Sequence, residues 1–401
     1  MKVLWIKADK LLPLHGGGNI RSYNILRQLA LRHEVTLFSY YAGAPDLEYE
    51  VRLKKDFPAA VCLATRRRDP GVLRRRFDYL VRLPRRAPYA VIRADSAGVK
   101  WALKQSFDAA KFDLAVCDFL LPTVSIPAKR SVPIVLFQHN VESEIWRRHV
   151  EVESNPLVKL LYRIELAKMQ RYEKKMVRAA SHVIAVSQHD RALMSAWTEA
   201  LRISVVPTGV NLKEYSQRKA NAEPGPLLMF VGSMDSKPNV DGVVYFCKEI
   251  WPLILRKVPL ARFRIVGRDP APAVLKLASA SVEVTGTVAS ISNELCHAAV
   301  VVVPLRIGGG TRLKIYEAMA MAKAVVSTTV GAEGLDVTDG RDVLLRNGPQ
   351  EFADGCVSLL QDIELRHRIG NAAAQLAGVY DWPVIGDKFS DVLQKVVEHC
   401  T

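Results

Sequence analysis

The sequence predicts an α/β protein built of two doubly wound parallel sheets in series. Short β-branched runs alternate with longer amphipathic segments along the whole 401-residue chain, which is typical of parallel sheets joined by crossover helices. The length favours two domains of roughly 150 to 200 residues each, because it exceeds what one ordinary hydrophobic core supports. Residues 217–226 contain two prolines and lack apolar periodicity, so this segment is predicted to be the domain linker.

Seven predicted strands precede this linker and six follow it. The first domain is predicted over residues 1–216 and the second over 227–382. An amphipathic final helix over 383–401 packs either on its own domain or back on the first. Doubly wound sheets bind ligands at the carboxyl ends of their strands, so residues that follow a strand are the candidates for a site. The predicted strands are 3–6, 34–40, 60–64, 114–118, 133–138, 182–187, 204–207, 227–231, 262–266, 282–285, 300–304, 324–328 and 343–345.

The formal net charge of +15 indicates an anionic partner, which can be nucleic acid, an anionic membrane surface or a phosphate-bearing substrate. Nine arginines lie between Arg66 and Arg86, among them Arg74, Arg75 and Arg76, and apolar side chains interleave with them. This segment is therefore predicted to be basic and amphipathic.

The six cysteines are scattered, with neither a C-x-x-C pair nor a Cys/His cluster at metal-ligand spacing. This pattern predicts reduced core thiols in a cytosolic protein and no zinc site. The apolar run at the start is too short for a signal peptide, and no apolar stretch reaches the ~18 residues that a spanning helix needs. We therefore expect a cytoplasmic protein.

The clearest candidate site follows a strand of the second domain, where three glycines run into a helix predicted to begin near Thr311. Glycines allow the backbone to approach a ligand closely, and the free N–H groups and dipole of a helix N-terminus favour an anion. Arg312 and Lys314 stand in the predicted first turn, where a structural helix prefers acidic residues. Glu317, further along, is placed to accept hydrogen bonds from sugar hydroxyls. We predict that residues 308–312 bind a phosphate group.

A second glycine loop follows the first strand. It consists of Gly16, Gly17, Gly18 and Asn19 and opens the helix that contains Arg21. A dinucleotide site is not expected, because the spacing is not G-x-G-x-x-G and no acidic residue ends the second strand. The position favours contact with a phosphate or a substrate hydroxyl.

Three further residues follow predicted strands. His139 comes directly after the fifth strand, where it can donate to a developing charge or hold a hydroxyl. For Lys237, after the first strand of the second domain, contact with a phosphate and a capped helix start remain equal alternatives. Glu333 joins Glu317 as a second carboxylate, and the pair either catalyses hydrolysis or binds hydroxyls. Hydroxyl binding is favoured because the sequence indicates no apolar pocket that raises a carboxyl pKa.

In this order the segments resemble glycosyltransferase family 4, the retaining enzymes of the GT-B fold. The resemblance covers nearly the whole chain and includes the glycine loop after the first strand and the histidine after a mid-domain strand. Its other motifs are Val186-Ser187, Pro207-Thr208-Gly209-Val210-Asn211, Phe230-Val231-Gly232, Glu317-Ala318-Met319-Ala320 and Ala324-Val325-Val326-Ser327-Thr328.

The resemblance implies two Rossmann-like domains that face each other across a cleft. The first would bind the acceptor and the second a nucleotide-diphosphate sugar, without a metal or another cofactor. Glu317 would hold the ribose, residues 310–313 the diphosphate and residues 286–288 the base. The catalytic residues implied are His139, Gly17 and Glu317, and the donor-binding residues are Gly232, Lys237, Gly286, Val288, Gly309, Gly310, Thr311, Arg312, Leu313, Lys314 and Glu317.

The sequence departs from the family pattern in two places. Gly309 stands where the family usually has a second acid, eight positions before Glu317. Ser233 and Pro238 stand where it usually has Arg and Lys. We infer that the two cations predicted in the first turn of the helix replace them at the diphosphate.

Family members often extend saccharides on lipid carriers at a membrane face, in the synthesis of cell-surface polysaccharides and glycoconjugates. For the basic segment this implies arginines that attract anionic headgroups while Phe77, Tyr79 and Leu80 enter the interface. The protein would then be peripheral on the inner face of the membrane. A solvated basic loop is the alternative.

Two other functions use the same features. A GT-B sugar-nucleotide epimerase would share the donor site but need acids and bases around the donor sugar. A basic nucleic-acid-binding protein would account for the charge, yet aromatic residues are only 7% of the chain and no nucleic-acid motif occurs. We therefore expect a nucleotide sugar and a saccharide or lipid-linked acceptor as partners, and no nucleic acid.

Overall fold

The computed structural model describes residues 1–14, 16–65, 72–109, 111–130, 132–215, 225–307 and 312–400. These residues form two compact units. The first contains residues 1–207 and 383–400, and the second contains 208–307 and 312–382. Most of the predicted linker, residues 217–224, lies outside the described residues.

The first unit ends at Pro207, before the predicted residue 216. The reason lies in the contacts of residues 208–215. Val210 forms a parallel bridge with Asp381, and the N–H of Leu212 donates to the Asp381 carboxylate. Both contacts join this segment to the second unit. The last helix groups with the first unit, where its Phe389 ring packs 5.7 Å from the ring of Trp5.

The strands form two all-parallel sheets, which confirms the predicted fold class. The first sheet has the order β3-β2-β1-β4-β5-β6-β7 and the second β10-β9-β8-β11-β12-β13. Each predicted strand is found with bounds close to those predicted. They are β1 Lys2–Ala8, β2 Glu34–Ala42, β3 Val61–Thr65, β4 Leu114–Asp118, β5 Ile134–Phe137, β6 His182–Ala185, β7 Ile203–Val205, β8 Leu227–Val231, β9 Arg262–Val266, β10 Val282–Gly286, β11 Val300–Val303, β12 Ala324–Ser327 and β13 Leu344–Leu345.

Helices cover the sheets and bury the strands between them. Central strands such as β4 and β11 are buried on both faces, so β11 is apolar throughout and β4 is apolar up to its last residue, Asp118. The helices are α1 Gly17–Ala30, α2 Leu47–Asp56, α3 Val72–Arg82, α4 Tyr89–Ala94, α5 Ala97–Asp108, α6 Glu142–Val152, α7 Pro156–Ala179, α8 Gln188–Ser195, α9 Leu212–Tyr215, α10 Lys237–Tyr245, α11 Trp251–Lys257, α12 Pro272–Leu275, α13 Ile291–Cys296, α14 Leu313–Ala320, α15 Pro349–Gln361, α16 Ile363–Ala377 and α17 Trp382–Cys400.

The strand order positions a site in each unit. In the first sheet the direction of strand addition reverses between β1 and β4, and in the second between β8 and β11. Ligands of doubly wound sheets bind beyond the carboxyl ends of the strands at such reversals. The candidate binding residues are therefore those in the loops that follow these four strands and the strands beside them.

None of the helices in the described part of the chain combines the length and the apolar composition needed to cross a bilayer. Over the same residues, no three His, Cys, Asp or Glu side chains are grouped as a metal site.

Candidate functional site

In the first unit a buried carboxylate joins the ends of three strands. Asp118 is the last residue of β4, and one of its oxygens accepts hydrogen bonds from the Trp5 indole at 3.0 Å and the Lys7 ammonium at 3.2 Å. The other oxygen lies 2.8 Å from Nε2 of His139, two residues beyond β5. The side chains of Lys7, Asp118 and His139 are at most 2% exposed. The four side chains thus form one buried polar cluster, which Ser22 extends by a further hydrogen bond to Asp118.

The charges of this cluster determine what His139 can do. Burial by itself raises the pKa of Asp118, but the Lys7 ammonium and the hydrogen bond from His139 outweigh it and hold that pKa well below its usual range. Burial lowers the pKa of His139 to about 3, although Asp118 opposes the shift. His139 is therefore neutral near pH 7, with its Nε2 proton donated to Asp118.

The second ring nitrogen of His139 is left as an acceptor. Its Nδ1 is buried and has no hydrogen-bond partner among the described residues. A neutral imidazole in this tautomer can accept a hydrogen bond from a substrate hydroxyl at Nδ1. It cannot donate there, so of the two predicted roles the geometry favours holding a hydroxyl over donating to a developing charge.

The glycine loop packs against the same cluster. The helix α1 begins at Gly17, with Gly16 as its N-cap residue. A Cβ added to Gly18 would lie 2.5 Å from Cζ of Phe119, a residue that adopts a positive φ of 71° and stacks on the His139 ring at 3.6 Å. Only glycine therefore fits beneath the Phe119 ring.

Two polar side chains of the predicted phosphate loop, Asn19 and Arg21, interact with other groups of the protein. The Asn19 amide donates to the Lys10 carbonyl at 3.0 Å, which closes the loop after β1. Arg21 is only 1% exposed, and its charge lies close enough to lower the pKa of His139. The positive charges of Arg21 and Lys7 thus flank the buried imidazole.

In the second unit a lysine from α14 reaches the end of β8. The Lys314 ammonium lies 2.8 Å from Oδ1 of Asn239 and 4.0 Å from the centroid of the Phe230 ring. A Cβ on Gly232, the residue after β8, would lie 2.7 Å from this ammonium. The absence of a side chain at Gly232 thus provides the space that the Lys314 ammonium occupies.

Two titratable groups on α14 have pKa values near neutrality. Burial, reinforced by the charge of Arg312, lowers the pKa of Lys314 to about 7. Burial also raises the pKa of Glu317 to about 7, against a hydrogen bond from Tyr215 of α9. Groups with pKa values displaced toward neutrality concentrate at functional sites, which supports this end of the sheet as a binding site.

The helix begins later than the sequence predicts. Arg312 has φ +47° and ψ 25°, which is a left-handed conformation, so α14 begins at Leu313 and Arg312 is its N-cap residue. The prediction that Arg312 lies in the first turn is therefore wrong, whereas Lys314 does lie there. The Arg312 guanidinium donates to the Val330 carbonyl at 2.8 Å and lies 3.8 Å from the Glu333 carboxylate.

The other predicted donor residues are distributed around this strand edge. Lys237 is the first residue of α10 and is exposed. Gly286 ends β10 with a positive φ of 70°, and Val288 follows it in a partly buried position. The glycine segment itself, with Gly309, Gly310 and Thr311, lies outside the residues that the structure describes.

Residues 72–82 of the basic segment form α3, and its described apolar side chains differ from those predicted to enter the interface. Tyr79 faces the protein, because its ring packs edge-on against Tyr89 at 5.1 Å and its hydroxyl hydrogen-bonds to Glu165. The exposed apolar side chains are Phe77 at 69%, Leu80 at 57% and Val81 at 61%. Arg74, Arg75 and Arg76 lie within α3, and their side chains are outside the described part of the structure.

Sequence reasoning missed several residues that build these sites. Asp118 ends a predicted strand, and Lys7 interrupts the apolar run of the first strand. These two positions indicate a buried ion pair between neighbouring strands, so it could have been predicted. Asn239 and Tyr215 had none. Their contacts with Lys314 and Glu317 depend on how α10 and α9 pack against α14.

Comparisons with known proteins agree in both halves of the chain. The family described as Glycosyltransferase Family 4 matches residues 15–214, and the family described as Glycosyl transferases group 1 matches residues 225–362. A Klebsiella pneumoniae protein, described as an uncharacterized 44.6 kDa protein in the cps region, is 22% identical over 95% of this chain and 96% of its own length.

Solved structures share the architecture. The Anabaena protein HepE, solved in complex with UDP and glucose, matches 98% of this chain and 100% of its own at a TM-score of 0.66 and 15% identity. WaaG, described as a glycosyltransferase involved in lipopolysaccharide biosynthesis, matches 98% of this chain and 99% of its own at a TM-score of 0.65 and 16% identity. At these identities the solved structures establish the fold alone.

Proposed function

The chain belongs to glycosyltransferase family 4 and has the GT-B fold, and from this premise we propose that it is a retaining, metal-independent hexosyltransferase. It moves a sugar from a nucleotide-diphosphate sugar to a saccharide or lipid-linked saccharide acceptor. The reaction belongs to the synthesis of a cell-surface polysaccharide or glycoconjugate, consistent with the cps-region relative and with the role of WaaG in lipopolysaccharide biosynthesis.

The observation that carries this proposal is the position of the Lys314 ammonium. The family pattern has cations after the first strand of the second domain, where this chain has Ser233 and Pro238. Lys314 brings a cation to that place from α14, because its ammonium lies beside Gly232 at the end of β8. A diphosphate bound there would meet this ammonium together with the N-terminus of α14 and the guanidinium of Arg312.

The remaining donor contacts follow from the same placement. Glu317 accepts hydrogen bonds from the ribose hydroxyls, and Tyr215 holds the carboxylate in place. The base lies against residues 286–288, where the positive φ of Gly286 turns the backbone at the end of β10. Lys237, which is exposed at the start of α10, contributes to the phosphate charge at longer range.

The first unit supplies the groups around the transferred sugar. His139 accepts a hydrogen bond from a sugar hydroxyl at Nδ1, and Gly17 opens α1 beside the leaving phosphate. The bond between the anomeric carbon and the phosphate oxygen breaks while the acceptor oxygen attacks from the same face. The acceptor proton passes to the departing diphosphate oxygen, so the step needs no carboxylate nucleophile.

Binding of the diphosphate is expected to take up a proton at a pH above 7. Free Lys314 has a pKa of about 7, and an adjacent dianion favours its charged form and raises that value. Calorimetric titration with nucleoside diphosphates in two buffers of different ionisation enthalpy measures the uptake. Lys314→Arg should abolish it, because arginine stays protonated throughout this range.

Two matched variants make this experiment decisive. Lys237→Arg changes an exposed lysine at the same strand edge and should leave the uptake as in the unmodified chain. Glu317→Gln removes the other group with a pKa near 7. If the uptake survives in Lys314→Arg and disappears in Glu317→Gln, the proton goes to Glu317 and the assignment of Lys314 is wrong.

We propose further that α3 attaches the enzyme to the inner face of a membrane. Phe77, Leu80 and Val81 are exposed apolar side chains within a segment of nine arginines. Such a helix lies in the interface with its apolar side chains among the acyl chains and its cations at anionic headgroups. Val81 replaces Tyr79 in this role, since Tyr79 packs on Tyr89.

The double variant Phe77→Glu/Leu80→Glu is expected to reduce binding to anionic vesicles about tenfold or more, because it adds two charges to the inserted surface. Vesicle sedimentation with and without anionic lipid measures this. Leu260→Glu, at an exposed leucine of the second unit, is the matched control. Equal sedimentation of both variants, or no binding of the unmodified chain at low salt, would count against membrane attachment.

A donor screen tests the proposed reaction itself. The chain is incubated with a panel of nucleotide sugars, and release of nucleoside diphosphate is measured with and without saccharide acceptors. We expect release from one donor class, with the sugar recovered on water or on the acceptor. Recovery of an epimerised sugar still joined to the nucleotide would identify an epimerase and overturn the transferase proposal.

A further inference from the structure

A cavity in the first unit is walled by aromatic rings and contains a carboxyl group. Its volume is about 340 Å³, which lies in the lower part of the range for small-molecule sites. The cavity is lined by Phe119, Glu142, Trp146, His149 and Tyr162 and, over the rest of its wall, by Ala90, Leu120, Leu121, Ile145 and Met169. None of these residues belongs to the proposed donor site or to the predicted glycine loop.

The rings hold one another in place. Trp146 and His149 lie one turn apart on α6, and each packs 5.8 Å from the Tyr162 ring of α7, at interplanar angles of 68° and 48°. Edge-to-face contacts of this kind fix the ring orientations. The wall is therefore formed before any ligand binds.

The carboxyl group stands at the start of α6. Glu142 is its first residue, and the backbone N–H groups of Glu142 and Ser143 donate to the buried Glu173 carboxylate at 2.7 and 3.0 Å. Burial and the like charge of Glu173 raise the pKa of Glu142 to about 7. Glu142 is thus a carboxyl group held at a cavity wall, and the reaction described above gives it no role.

The composition of the wall limits the ligand. Among the described residues that line the cavity there is no lysine or arginine, so a phosphate or nucleotide would lack a counter-charge. An acyl chain would pack on the aliphatic part of the wall, but it would cover the Glu142 carboxyl without offering it a hydrogen bond beyond the one from Asn140, which is unfavourable. A pyranose ring suits both the aromatic rings and the carboxyl group of the wall. Its C–H groups pack on the negative faces of aromatic rings, and its hydroxyls hydrogen-bond to a carboxyl group.

The cavity also adjoins the predicted catalytic group. Phe119 lines it and stacks on the His139 ring at 3.6 Å, and Glu142 follows His139 by three residues. We propose that this cavity is a saccharide subsite that receives a pyranose unit of the acceptor, with Trp146 and Tyr162 as its walls and Glu142 as its hydroxyl partner. The acceptor role rests on the proposed transferase function, whereas sugar binding by the cavity does not.

Saturation-transfer NMR with a panel of methyl pyranosides tests the subsite without a donor. We expect transfer to the ring C–H protons of at least one glycoside, about tenfold weaker in Trp146→Ala and largely retained in Trp146→Phe, which keeps an aromatic face. Trp101→Ala is the matched control, because Trp101 is a 66% exposed tryptophan on α5 of the same unit. Glu142→Gln should weaken binding without lowering the thermal midpoint of unfolding, because it removes a carboxyl whose charged form is disfavoured by burial and by Glu173.

Three results would overturn the subsite. They are no transfer to any pyranoside, equal transfer in Trp146→Ala and the unmodified chain, and preferential saturation of an octyl chain when octyl glycosides are the probe. Donor hydrolysis without acceptor is measured in parallel on Trp101→Ala and the unmodified chain and should be the same in both. If the unmodified chain binds pyranosides but hydrolyses no donor, the transferase proposal is contradicted and the sugar site is not. If it hydrolyses a donor but binds no pyranoside, the sugar site alone is contradicted.

Discussion

Replacing Asp118 by asparagine is expected to lower the free energy of unfolding by about 3–5 kcal/mol. The variant leaves the Lys7 ammonium, 2% exposed, without its counter-charge in the interior of the first unit. It also replaces the carboxylate that accepts hydrogen bonds from Trp5 and His139. Urea denaturation at neutral pH, followed through the near-ultraviolet signal of the buried aromatic side chains, measures the loss.

The pH dependence and a second variant distinguish this mechanism from a general packing defect. The pKa of folded Asp118 lies below its unfolded value, so its contribution is present above about pH 4 and is lost as the pH falls. The difference between the two proteins should therefore shrink in acid. Lys7→Met in the Asp118→Asn background should restore part of the stability, because it removes the unpaired charge. A single variant within about 1 kcal/mol of the unmodified chain would contradict the buried ion pair.

Replacing Arg312 by alanine is expected to lower kcat/KM for the nucleotide sugar about 100-fold or more, which is the size of effect found when one group that stabilises a developing charge is removed. Arg312 stands at the N-cap of α14, and its charge already lowers the pKa of Lys314. The diphosphate gains negative charge as the sugar departs, so a guanidinium at this position acts more strongly on the transition state than on the bound donor. Steady-state kinetics of nucleoside diphosphate release measures the effect.

Backbone and side-chain effects of Arg312 can be separated. Arg312→Gly removes the guanidinium and also accommodates φ +47° without strain, so it should be as inactive as Arg312→Ala if the guanidinium is what matters. Arg306→Ala changes an arginine of the preceding loop whose partner is the surface carboxylate of Asp241 and should leave kcat/KM unchanged. Activity restored in Arg312→Gly would show that the backbone conformation, and not the charge, was disturbed.

The fold was predictable because its signal is repeated along the chain. Runs such as the four valines of β11, which are buried on both faces, alternate with amphipathic helices. Glycine and proline residues between these runs also indicated the positions of most loops. The boundary between the units was less predictable, because the position of residues 208–215 depends on the contacts of Val210 and Leu212 with Asp381, far along the chain.

The candidate sites were predictable at the level of strand ends and not at the level of partners. His139 and Lys314 stand where a parallel sheet presents its ligand-binding residues. His139 is neutral because of its surroundings, which include Asp118 and Lys7 on two other strands. Lys314 points to Gly232 because of the way α14 packs beside β8. The start of α14 was misplaced because the left-handed conformation of Arg312 is not visible in residue type.

Binding of nucleoside diphosphates tests the central claim, that this chain holds a nucleotide-diphosphate sugar at the carboxyl edge of its second sheet. The direct measurement is a thermal-shift titration of the intact chain with nucleoside diphosphates and, separately, with oligonucleotides. At saturating concentrations a ligand of the folded state raises the midpoint of unfolding in proportion to the logarithm of its concentration over its Kd. We predict stabilisation by at least one nucleoside diphosphate, reduced in Arg312→Ala, and none by oligonucleotides. Stabilisation by oligonucleotides alone would contradict the account and identify a nucleic-acid-binding protein.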